Sequence, residues 1–298
     1  MEIRQIFKHE FLNTMVVEFE TADMSALNVF PAGHYITKGE CIVKEQKHEQ
    51  VGNIFIENRS EQFLLFTDMD ILEGAKQNRV VNISTLVRPG SKSNLEVSCV
   101  EQNRWDHLHG NFRNSDDSIE PDMREKKITS LVDDSDPDIR TSELQSEIWD
   151  SVSYKLNDAG VASPTSDYGD YIRYKKSAGA SQDVPKPSPS QDCNGLAFYM
   201  DGKPRIVETF GNTALYQYYF PMLVHQYFSL AKPGNANHPS DNMSKQEIQK
   251  ELDMTVFSGA RAGVNGVGEL RLLNTEKRKG FGLEYEGEGL HEVVMLVG

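Results

Sequence analysis

The alternation of apolar and polar residues predicts a series of short strands in the first hundred residues of the chain. Residues 52–58 place Ile54 and Ile56 on one face and Phe55 on the other, which is the two-residue period of a half-buried strand. A short polar link predicts a hairpin between this strand and the apolar segment 62–66. Further strands are predicted at 16–20, 41–45, 79–87 and 94–101. Short strands joined by short turns are typical of an antiparallel sandwich or a barrel-like sheet.

A four-residue apolar repeat predicts a long helix at 142–160, whose buried face carries Leu144, Ile148, Val152 and Leu156. Ser142 and Gln145 have the spacing of a capping box at its start, and Gly160 supplies its stop. A helix at 213–231 is apolar nearly all round, and Pro221 should kink it or split it. The remaining predicted elements are a helix at 244–257, a hairpin through Asp201-Gly202, and strands at 268–274, 281–287 and 291–297.

Two polar stretches interrupt this pattern. Residues 107–140 are mixed in charge and poor in large apolar side chains, which predicts a loop or an inserted segment, and 177–192 are typical of a linker or surface loop. We therefore predict an α+β protein with a β-rich half at 1–106, a polar insertion at 107–140 and a helix-containing α+β half at 141–298. The two halves are expected to pack as one integrated domain.

The charge balance restricts the classes of partner. Acidic residues number 45 against 31 basic residues, a formal net charge of -14, so a nucleic-acid backbone would be repelled and no nucleic-acid partner is expected. An anionic small molecule is still compatible, because a few arginines and lysines can override the overall field locally. The oligomeric state is left open by the sequence.

The location is expected to be cytoplasmic. The three cysteines are widely spaced and form no disulfide framework, which fits a reducing compartment. The amino-terminal residues lack the apolar core of a secretory signal. No apolar run approaches the roughly 18 residues needed to span a bilayer, so no membrane association is expected.

The first candidate for ligand binding is the polar segment 73–79, EGAKQNR, between two predicted strands. Gln77, Asn78 and Arg79 supply hydrogen-bond donors there, and an arginine at the mouth of a sheet suits bidentate recognition of phosphate or carboxylate. The alternative is a polar hairpin turn whose charges are merely solvated.

The second candidate lies near the end of the strand 94–101. Glu101 is a candidate general base if it is buried, and Cys99 a candidate nucleophile if a neighbouring cation lowers its pKa. Alternation places both on one face of the strand, although cysteine is also a common core residue. Trp105 would stack on a planar ligand or, alternatively, pack at the edge of the core.

The third candidate is the helix at 142–160. Gln145 and Trp149 lie one turn apart on it, which suits a helix that lines a cleft, whereas the alternative is simple packing of Trp149 against the sheet. The histidines are scattered, so no metal site is predicted. Motifs of dinucleotide-binding, P-loop, zinc-protease and α/β-hydrolase proteins do not occur, and no cofactor is predicted.

Several of these segments together resemble one family. They are EGAKQNR (73–79), SCVEQNRW (98–105), QSEIWDSVSYKL (145–156), SPT (163–165) and FGNTALYQYYFPMLVHQY (210–227). In this order they are similar to the ARG and rhodanese-phosphatase superfamily-associated protein domain, over roughly residues 25–297. The shared positions are Gly74, Gln77, Arg79, Cys99, Glu101, Trp105, Glu147 and Trp149. Phe220 departs from the family pattern, which tends to have Trp there.

The resemblance implies association with ADP-ribosylglycohydrolase and phosphatase partners, and hence binding or processing of an ADP-ribose or NAD-related nucleotide. In an enzyme, Gln77 and Arg79 would hold phosphate, Trp105 or Trp149 would stack on the base, and Glu101 would act as base or ribose acceptor. The alternatives are a non-catalytic ligand sensor that uses the same pocket, or a protein-interaction module that presents its acidic surface and the segment 107–140.

Overall fold

The structure is a computed structural model and describes residues 1–21, 24–50, 52–104, 110–132, 137–178, 183–233, 238–257, 260–261 and 266–297. The chain divides into two compact units. Unit 1 comprises residues 1–29, 184–264 and 268–298, and unit 2 comprises residues 30–183 and 265–267. The division predicted from sequence, at 1–106, 107–140 and 141–298, does not coincide with this one. The reason is that the strand Thr14–Thr21 pairs with the strand Gly195–Met200, so the first two strands join a sheet built from residues after 184.

The helices and strands follow one another in an α+β order, which confirms the predicted class. In chain order they are β1 (Ile3–Phe11), β2 (Thr14–Thr21), β3 (Val29–Pro31), α1 (Ala32–Thr37), β4 (Cys41–Gln50), β5 (Asn53–Asn58), β6 (Phe63–Phe66), β7 (Asp70–Gly74), β8 (Arg79–Val81), β9 (Thr85–Val87), β10 (Lys92–Cys99), β11 (Phe112–Ser118), α2 (Pro121–Leu131), α3 (Pro137–Asp158), α4 (Tyr168–Ser177), β12 (Gly195–Met200), β13 (Lys203–Phe210), α5 (Thr213–Phe228), α6 (Asp241–Met254), β14 (Ala260–Arg261), β15 (Glu269–Asn274), β16 (Arg278–Tyr285) and β17 (Glu288–Leu296).

Unit 1 is built on an antiparallel sheet with the strand order β1-β2-β12-β13-β17-β16-β15-β14. The β12–β13 hairpin turns through Asp201 and Gly202, whose φ angles of 53° and 76° are those of a tight hairpin turn, as the Asp-Gly pair predicts. The strands predicted at 268–274, 281–287 and 291–297 are confirmed as β15, β16 and β17.

One helix of unit 1 packs on each face of this sheet. On one face, Phe210 of β13 stacks on Tyr219 of α5 with ring centroids 5.5 Å apart. On the other, Ile248 of α6 joins the core formed by side chains of β2, β12 and β13. The helix α5 is capped by Asn212, whose Oδ1 accepts a hydrogen bond from the Leu215 N–H at 2.9 Å. It runs as one helix through Pro221, so of the two effects predicted for this proline, a kink or a split, the split is wrong.

Unit 2 contains a six-stranded sheet, β11-β7-β8-β10-β5-β4, and a three-stranded sheet, β3-β6-β9. The predicted hairpin between 52–58 and 62–66 is wrong, because β5 pairs with β4 and β10 on its two sides while β6 pairs with β9. The side chain of Asn58 redirects the chain: its Oδ1 accepts from the Ser60 N–H at 3.0 Å and its Nδ2 donates to the Gln62 carbonyl at 2.8 Å.

The strand predicted at 79–87 is two strands in different sheets. Arg79–Val81 forms β8 beside β7 and β10, and Thr85–Val87 forms β9 beside β6. Between them Asn82 donates its backbone N–H to the Glu96 carbonyl at 2.9 Å. The uniform apolar pattern of this segment shows that both halves are buried, but it does not distinguish one strand from two.

The segment 107–140, predicted as a polar loop or insertion, contains β11, α2 and the first residues of α3. The helix α2 buries its few apolar side chains, namely Met123, Ile128 and Leu131. Arg124 donates from Nε and Nη2 to the buried carboxylate of Asp68, at 2.8 and 3.0 Å. Polar composition was misleading here because part of the segment's charge is paired inside the fold. Residues 107–109 and 133–136 lie outside the described part of the chain.

The helix predicted at 142–160 is confirmed, with its apolar face buried, but it begins earlier. It starts at Pro137, a favoured first helical residue, so the capping box predicted at Ser142 lies inside the helix. Gly160 has a φ of 64° just beyond the last turn, as its predicted role as helix stop requires. Among the described residues, no helix is both long and apolar enough to cross a membrane.

We expect Gly280→Ala to destabilise unit 1 strongly. A Cβ at this position in β16 would lie 1.9 Å from the carbonyl oxygen of Val293 on the neighbouring strand, so the backbone itself must move. The expected loss is about 3 kcal/mol or more of unfolding free energy, measured by urea denaturation. Gly110→Ala is the control, because its Cβ would meet no described atom within 4 Å. Equal stability of the two variants would contradict the close pairing of β16 and β17.

Candidate functional site

The segment 74–79 forms a tight turn between β7 and β8 in unit 2. Gly74 has a φ of 118° and Ala75 a φ of 43°, a left-handed conformation that is costly for a residue with a Cβ. The side chain of Asn78 closes the turn, because its Oδ1 accepts from the Gly74 N–H at 2.9 Å. Backbone strain of this kind is found disproportionately at functional sites, which makes the turn a candidate for one.

Gln77 joins this turn to the end of β10. Its side chain is fully buried, and its Nε2 donates to the carbonyls of Glu101 and Gln102 at 2.8 and 3.1 Å. Its Oε1 accepts from Arg79 Nη1 at 2.9 Å and from Cys99 Sγ at 3.2 Å. This amide is paired on both its donor and its acceptor side and has no exposed surface, so Gln77 holds the site together instead of contacting a ligand.

Arg79 is 2% exposed, so its guanidinium is enclosed by the fold. Its Nη1 contacts Gln77 and the sulfur of Cys99, and its Nη2 lies 3.5 Å from Glu45 Oε1. Within the described part of the chain, its Nε has no hydrogen-bond partner. A phosphate would have to displace these neighbours to reach it. The ligand-binding role predicted for Gln77 and Arg79 is not favoured by this geometry.

Cys99 is buried as well. Burial raises the pKa of its thiol to about 11, although the positive charge of Arg79 acts in the opposite direction. The sulfur is therefore protonated near neutral pH and is not an activated nucleophile.

Glu101 lies just beyond β10 and is 3% exposed. Arg104 donates from Nε to its Oε1 at 2.8 Å and from Nη2 to its Oε2 at 2.6 Å. The backbone N–H of Asn78 also donates to Oε2, at 3.2 Å. A general base needs an oxygen that can reach the proton of a substrate, and both oxygens here already accept from the protein. This arrangement favours a structural carboxylate over the predicted catalytic one.

Asp167 is a second carboxylate at this place, which sequence reasoning missed. It caps the start of α4, where its Oδ1 accepts from the Gly169 N–H and from Asn78 Nδ2, each at 3.0 Å. It also forms an isolated antiparallel bridge with Glu101. Burial raises the pKa of this carboxyl above its ordinary value, the two hydrogen bonds lower it, and the charge of Glu101 raises it further.

Asn78 connects the two carboxylates. Its backbone faces Glu101, its Nδ2 faces Asp167, and its Oδ1 also accepts from Arg104 Nη2 at 3.3 Å. Arg104 donates in addition from Nη1 to the Ala75 carbonyl at 2.8 Å. We call these four residues, Asn78, Glu101, Arg104 and Asp167, the Asn78 cluster. Of the predicted ligand-binding residues, half-buried Asn78 is the one placed at its centre.

The helix α3 reaches the same strand end. The side chain of Gln145 pairs with the backbone of Cys99, accepting from its N–H at 2.8 Å and donating to its carbonyl at 3.0 Å. Trp149, one turn on, is half-buried, and no described atom is a hydrogen-bond partner of its buried Nε1. The turn, through Gln77, and the helix, through Gln145, therefore both contact the end of β10. Trp105 lies outside the described residues.

The chemistry of the cluster is that of paired cations and carboxylates. Of the described His, Cys, Asp and Glu side chains, none form a group of three that could hold a metal ion. Arg173 of α4 lies at the outer side with Nη2 at 3.4 Å from Asp167 Oδ2, and its side chain is 65% exposed. The arrangement offers guanidinium donors for an anion and a carboxylate acceptor for hydroxyl groups.

Two sequence signals pointed to the missed residues. Arg104 follows Glu101 by three residues, and Asp167 precedes the segment that forms α4, as a helix-capping acid does. Neither signal reveals that the two residues meet, because their contact depends on long-range pairing of 101 with 167.

Comparison with known proteins gives one match. The family model described as ARG and Rhodanese-Phosphatase-superfamily-associated Protein domain matches residues 1–295. This confirms the resemblance and extends it over the first strands. No curated protein and no solved structure matches the chain.

We expect Asp167→Asn to remove a pH-dependent penalty from the stability of unit 2. Because folding raises the pKa of this carboxyl above 3.8, the contribution of Asp167 to stability falls as pH rises from below that value through the folded pKa. Asparagine still accepts hydrogen bonds at Oδ1, so the unfolding free energy of the variant should rise relative to that of wild type between pH 3 and pH 7. Urea denaturation across this range measures it. Asp183→Asn, at an exposed position, is the control. A difference in unfolding free energy between Asp167→Asn and wild type that stays constant with pH would contradict the burial of charge at Asp167.

Proposed function

The chain belongs to the ARG and Rhodanese-Phosphatase-superfamily-associated Protein domain family, and from this premise we propose that it binds an ADP-ribose or NAD-related nucleotide without turning it over. The observation that carries the proposal is the Asn78 cluster, where a half-buried amide lies between two carboxylates and beside a guanidinium. The partners implied by the family resemblance act on ADP-ribose and phosphate esters, which supports this class of ligand.

The phosphates of such a nucleotide would be held by guanidinium groups. Arg173 pairs through Nη2 with Asp167 and Asp170, and no described atom is a hydrogen-bond partner of its Nε or Nη1. Arg104, with its side chain 10% exposed, is already paired with Glu101 and Ala75, so Arg173 would be the main phosphate ligand. Guanidinium groups bind pyrophosphate oxygens in pairs of parallel hydrogen bonds, and Arg173 still has donors for them.

The ribose would be held by the carboxylate and the amide. Vicinal ribose hydroxyls donate well to a carboxylate, as in dinucleotide-binding proteins. Asp167 is held in place by Asn78 and by the start of α4, so its orientation does not have to be fixed on binding. Stacking of the base on Trp105 or Trp149 remains part of the proposal.

The state of the candidate catalytic groups supports the proposed absence of turnover. Glu101 is paired with Arg104, and the Cys99 thiol is protonated. This favours the sensor hypothesis over the enzyme hypothesis. We further propose a cytoplasmic location, which is supported by three cysteines that are all free and buried.

A second candidate is a protein-interaction module. The outer face of α3 exposes an acidic stripe of Glu143, Glu147 and Asp150 that ends in Tyr154, whose exposure is 69%. These residues follow one another at helical spacing, so a basic partner helix or strand fits them. In that case nucleotides would leave the protein's stability unchanged.

We expect ADP-ribose, in thermal-shift and calorimetric titrations, to stabilise the protein. A ligand at 100-fold its Kd adds about 2.7 kcal/mol to the unfolding free energy. Asn78→Ala and Arg173→Ala should each weaken binding about tenfold or more, because each removes a proposed direct contact. Arg113→Ala, an exposed arginine of β11, is the matched control and should bind as wild type does.

Three outcomes would contradict the proposal in different ways. No stabilisation by ADP-ribose, NAD or AMP at millimolar concentration would contradict the proposed class of ligand. Binding that survives both Asn78→Ala and Arg173→Ala would contradict the proposed location of the site. Chromatography of the incubated mixture would detect release of AMP, ribose phosphate or nicotinamide. Such release would show turnover, and it would contradict only the proposal that the protein is non-catalytic.

A further inference from the structure

A cleft of about 320 Å³ opens in unit 1. Its volume is at the lower end of the range for small-molecule sites, roughly 300–1,000 Å³. One wall is apolar and comes from the end of α6 and the residues after it, namely Leu252, Val256 and Phe257. The floor comes from β15, β16 and β17 and carries charged side chains. The cleft therefore suits a small ligand that is partly apolar and partly charged.

Strand register places a guanidinium and a carboxylate on either side of a glycine in this floor. Gly282 of β16 lies opposite Arg271 of β15 on one side and opposite Glu292 of β17 on the other. Residues opposite each other on antiparallel strands point to the same face of the sheet. Because neighbouring strands are close to 5 Å apart, the Cα atoms of Arg271 and Glu292 lie about 10 Å from each other.

The ring of Phe257 lies over this glycine. A Cβ on Gly282 would come 3.0 Å from Cε2 and 3.1 Å from Cδ2 of the ring, so a larger residue would push the ring off the floor. With glycine there, the ring lies between Arg271 and Glu292. The cleft thus presents an apolar surface with a cation on one side and an anion on the other.

The charges that line the cleft are balanced. The cations are Arg271 and the terminal ammonium of Met1, and the carboxylates are Glu284 and Glu292. Arg271 pairs through Nη2 with Glu284 at 3.0 Å, and its side chain is 43% exposed, so its further N–H donors can reach a ligand. Glu292 Oε2 lies a long 3.5 Å from the Thr209 hydroxyl, and a carboxylate accepts about four hydrogen bonds. The floor can therefore bind one anionic and one cationic group together.

We propose that this cleft binds a small ω-amino acid, a zwitterion whose carboxylate and ammonium are separated by a short methylene chain. The carboxylate would bind Arg271, the ammonium would bind Glu292, and the methylenes would lie on the ring of Phe257. A net-neutral ligand of this kind leaves the charge balance of the cleft unchanged. An α-amino acid carries both charged groups on one carbon, so it cannot reach both sides of the ring.

The probe that tests this proposal is 5-aminopentanoate. Its isomer norvaline is the matched control, because it has the same atoms but both charged groups on one carbon. Ligand-observed NMR titrations are run at pH 8, because burial raises the pKa of Glu292 to about 7 and its carboxylate has to be charged. 5-Aminopentanoate should bind about tenfold more tightly than norvaline, pentylamine or pentanoate, since none of these places opposite charges on the two sides of the ring.

Two variants assign the two ends of the ligand. Arg271→Gln should weaken 5-aminopentanoate binding about tenfold without weakening that of pentylamine, and Glu292→Gln should weaken it about tenfold without weakening that of pentanoate. A purely structural role would change the binding of all these ligands alike. Lys277→Gln and Glu276→Gln, in the exposed turn between β15 and β16, remove the same charges and should leave binding unchanged. Thermal melting of all four variants checks that unit 1 folds.

Three results would each overturn the proposal. They are no binding of 5-aminopentanoate at pH 8, binding of norvaline as tight as that of 5-aminopentanoate, and unchanged binding in either Arg271→Gln or Glu292→Gln. None of these results bears on nucleotide binding in unit 2.

Discussion

The four hydrogen bonds of the Gln77 side chain constrain the whole candidate site. They join the turn between β7 and β8 to the end of β10, and they do so in a place where water has no access. A buried amide that lost these partners would cost about 1–3 kcal/mol for each unsatisfied group, so the turn is held in one conformation. That conformation places Asn78 next to both Glu101 and Asp167.

The polar residues of unit 2 therefore divide into an inner and an outer set. Gln77, Arg79 and Gln145 are paired with their neighbours inside the fold and keep the strands, turn and helix in register. Asn78 and Arg173 lie further out and retain exposed surface. A ligand would meet the outer set, whose geometry the inner set has already fixed, and this lowers the entropy lost on binding.

Sequence reasoning named three segments that contact one another at the candidate site, but it expected ligand contacts from some residues that the structure buries. The period of Leu144, Ile148, Val152 and Leu156 predicts the correct face of α3, because burial alone decides it. Gln77 and Arg79 were predicted as ligand contacts because polar residues in a turn are usually solvated, and their burial depends on partners distant in sequence. Asp167 was missed because it pairs with residue 101 across the intervening segment 107–140. The polar composition of that segment gave no sign of the strand and helices that it contains.

Amide hydrogen exchange with and without saturating ADP-ribose tests most directly whether the outer set forms the ligand site. The backbone N–H groups of Asn78 and Gly169 donate to Glu101 and Asp167, so a ligand that fixes these carboxylates must slow their exchange. We predict protection in peptides covering 74–79 and 165–173 and none in those covering 284–292. Protection confined to unit 1, or unchanged exchange at both segments of unit 2, would contradict the account.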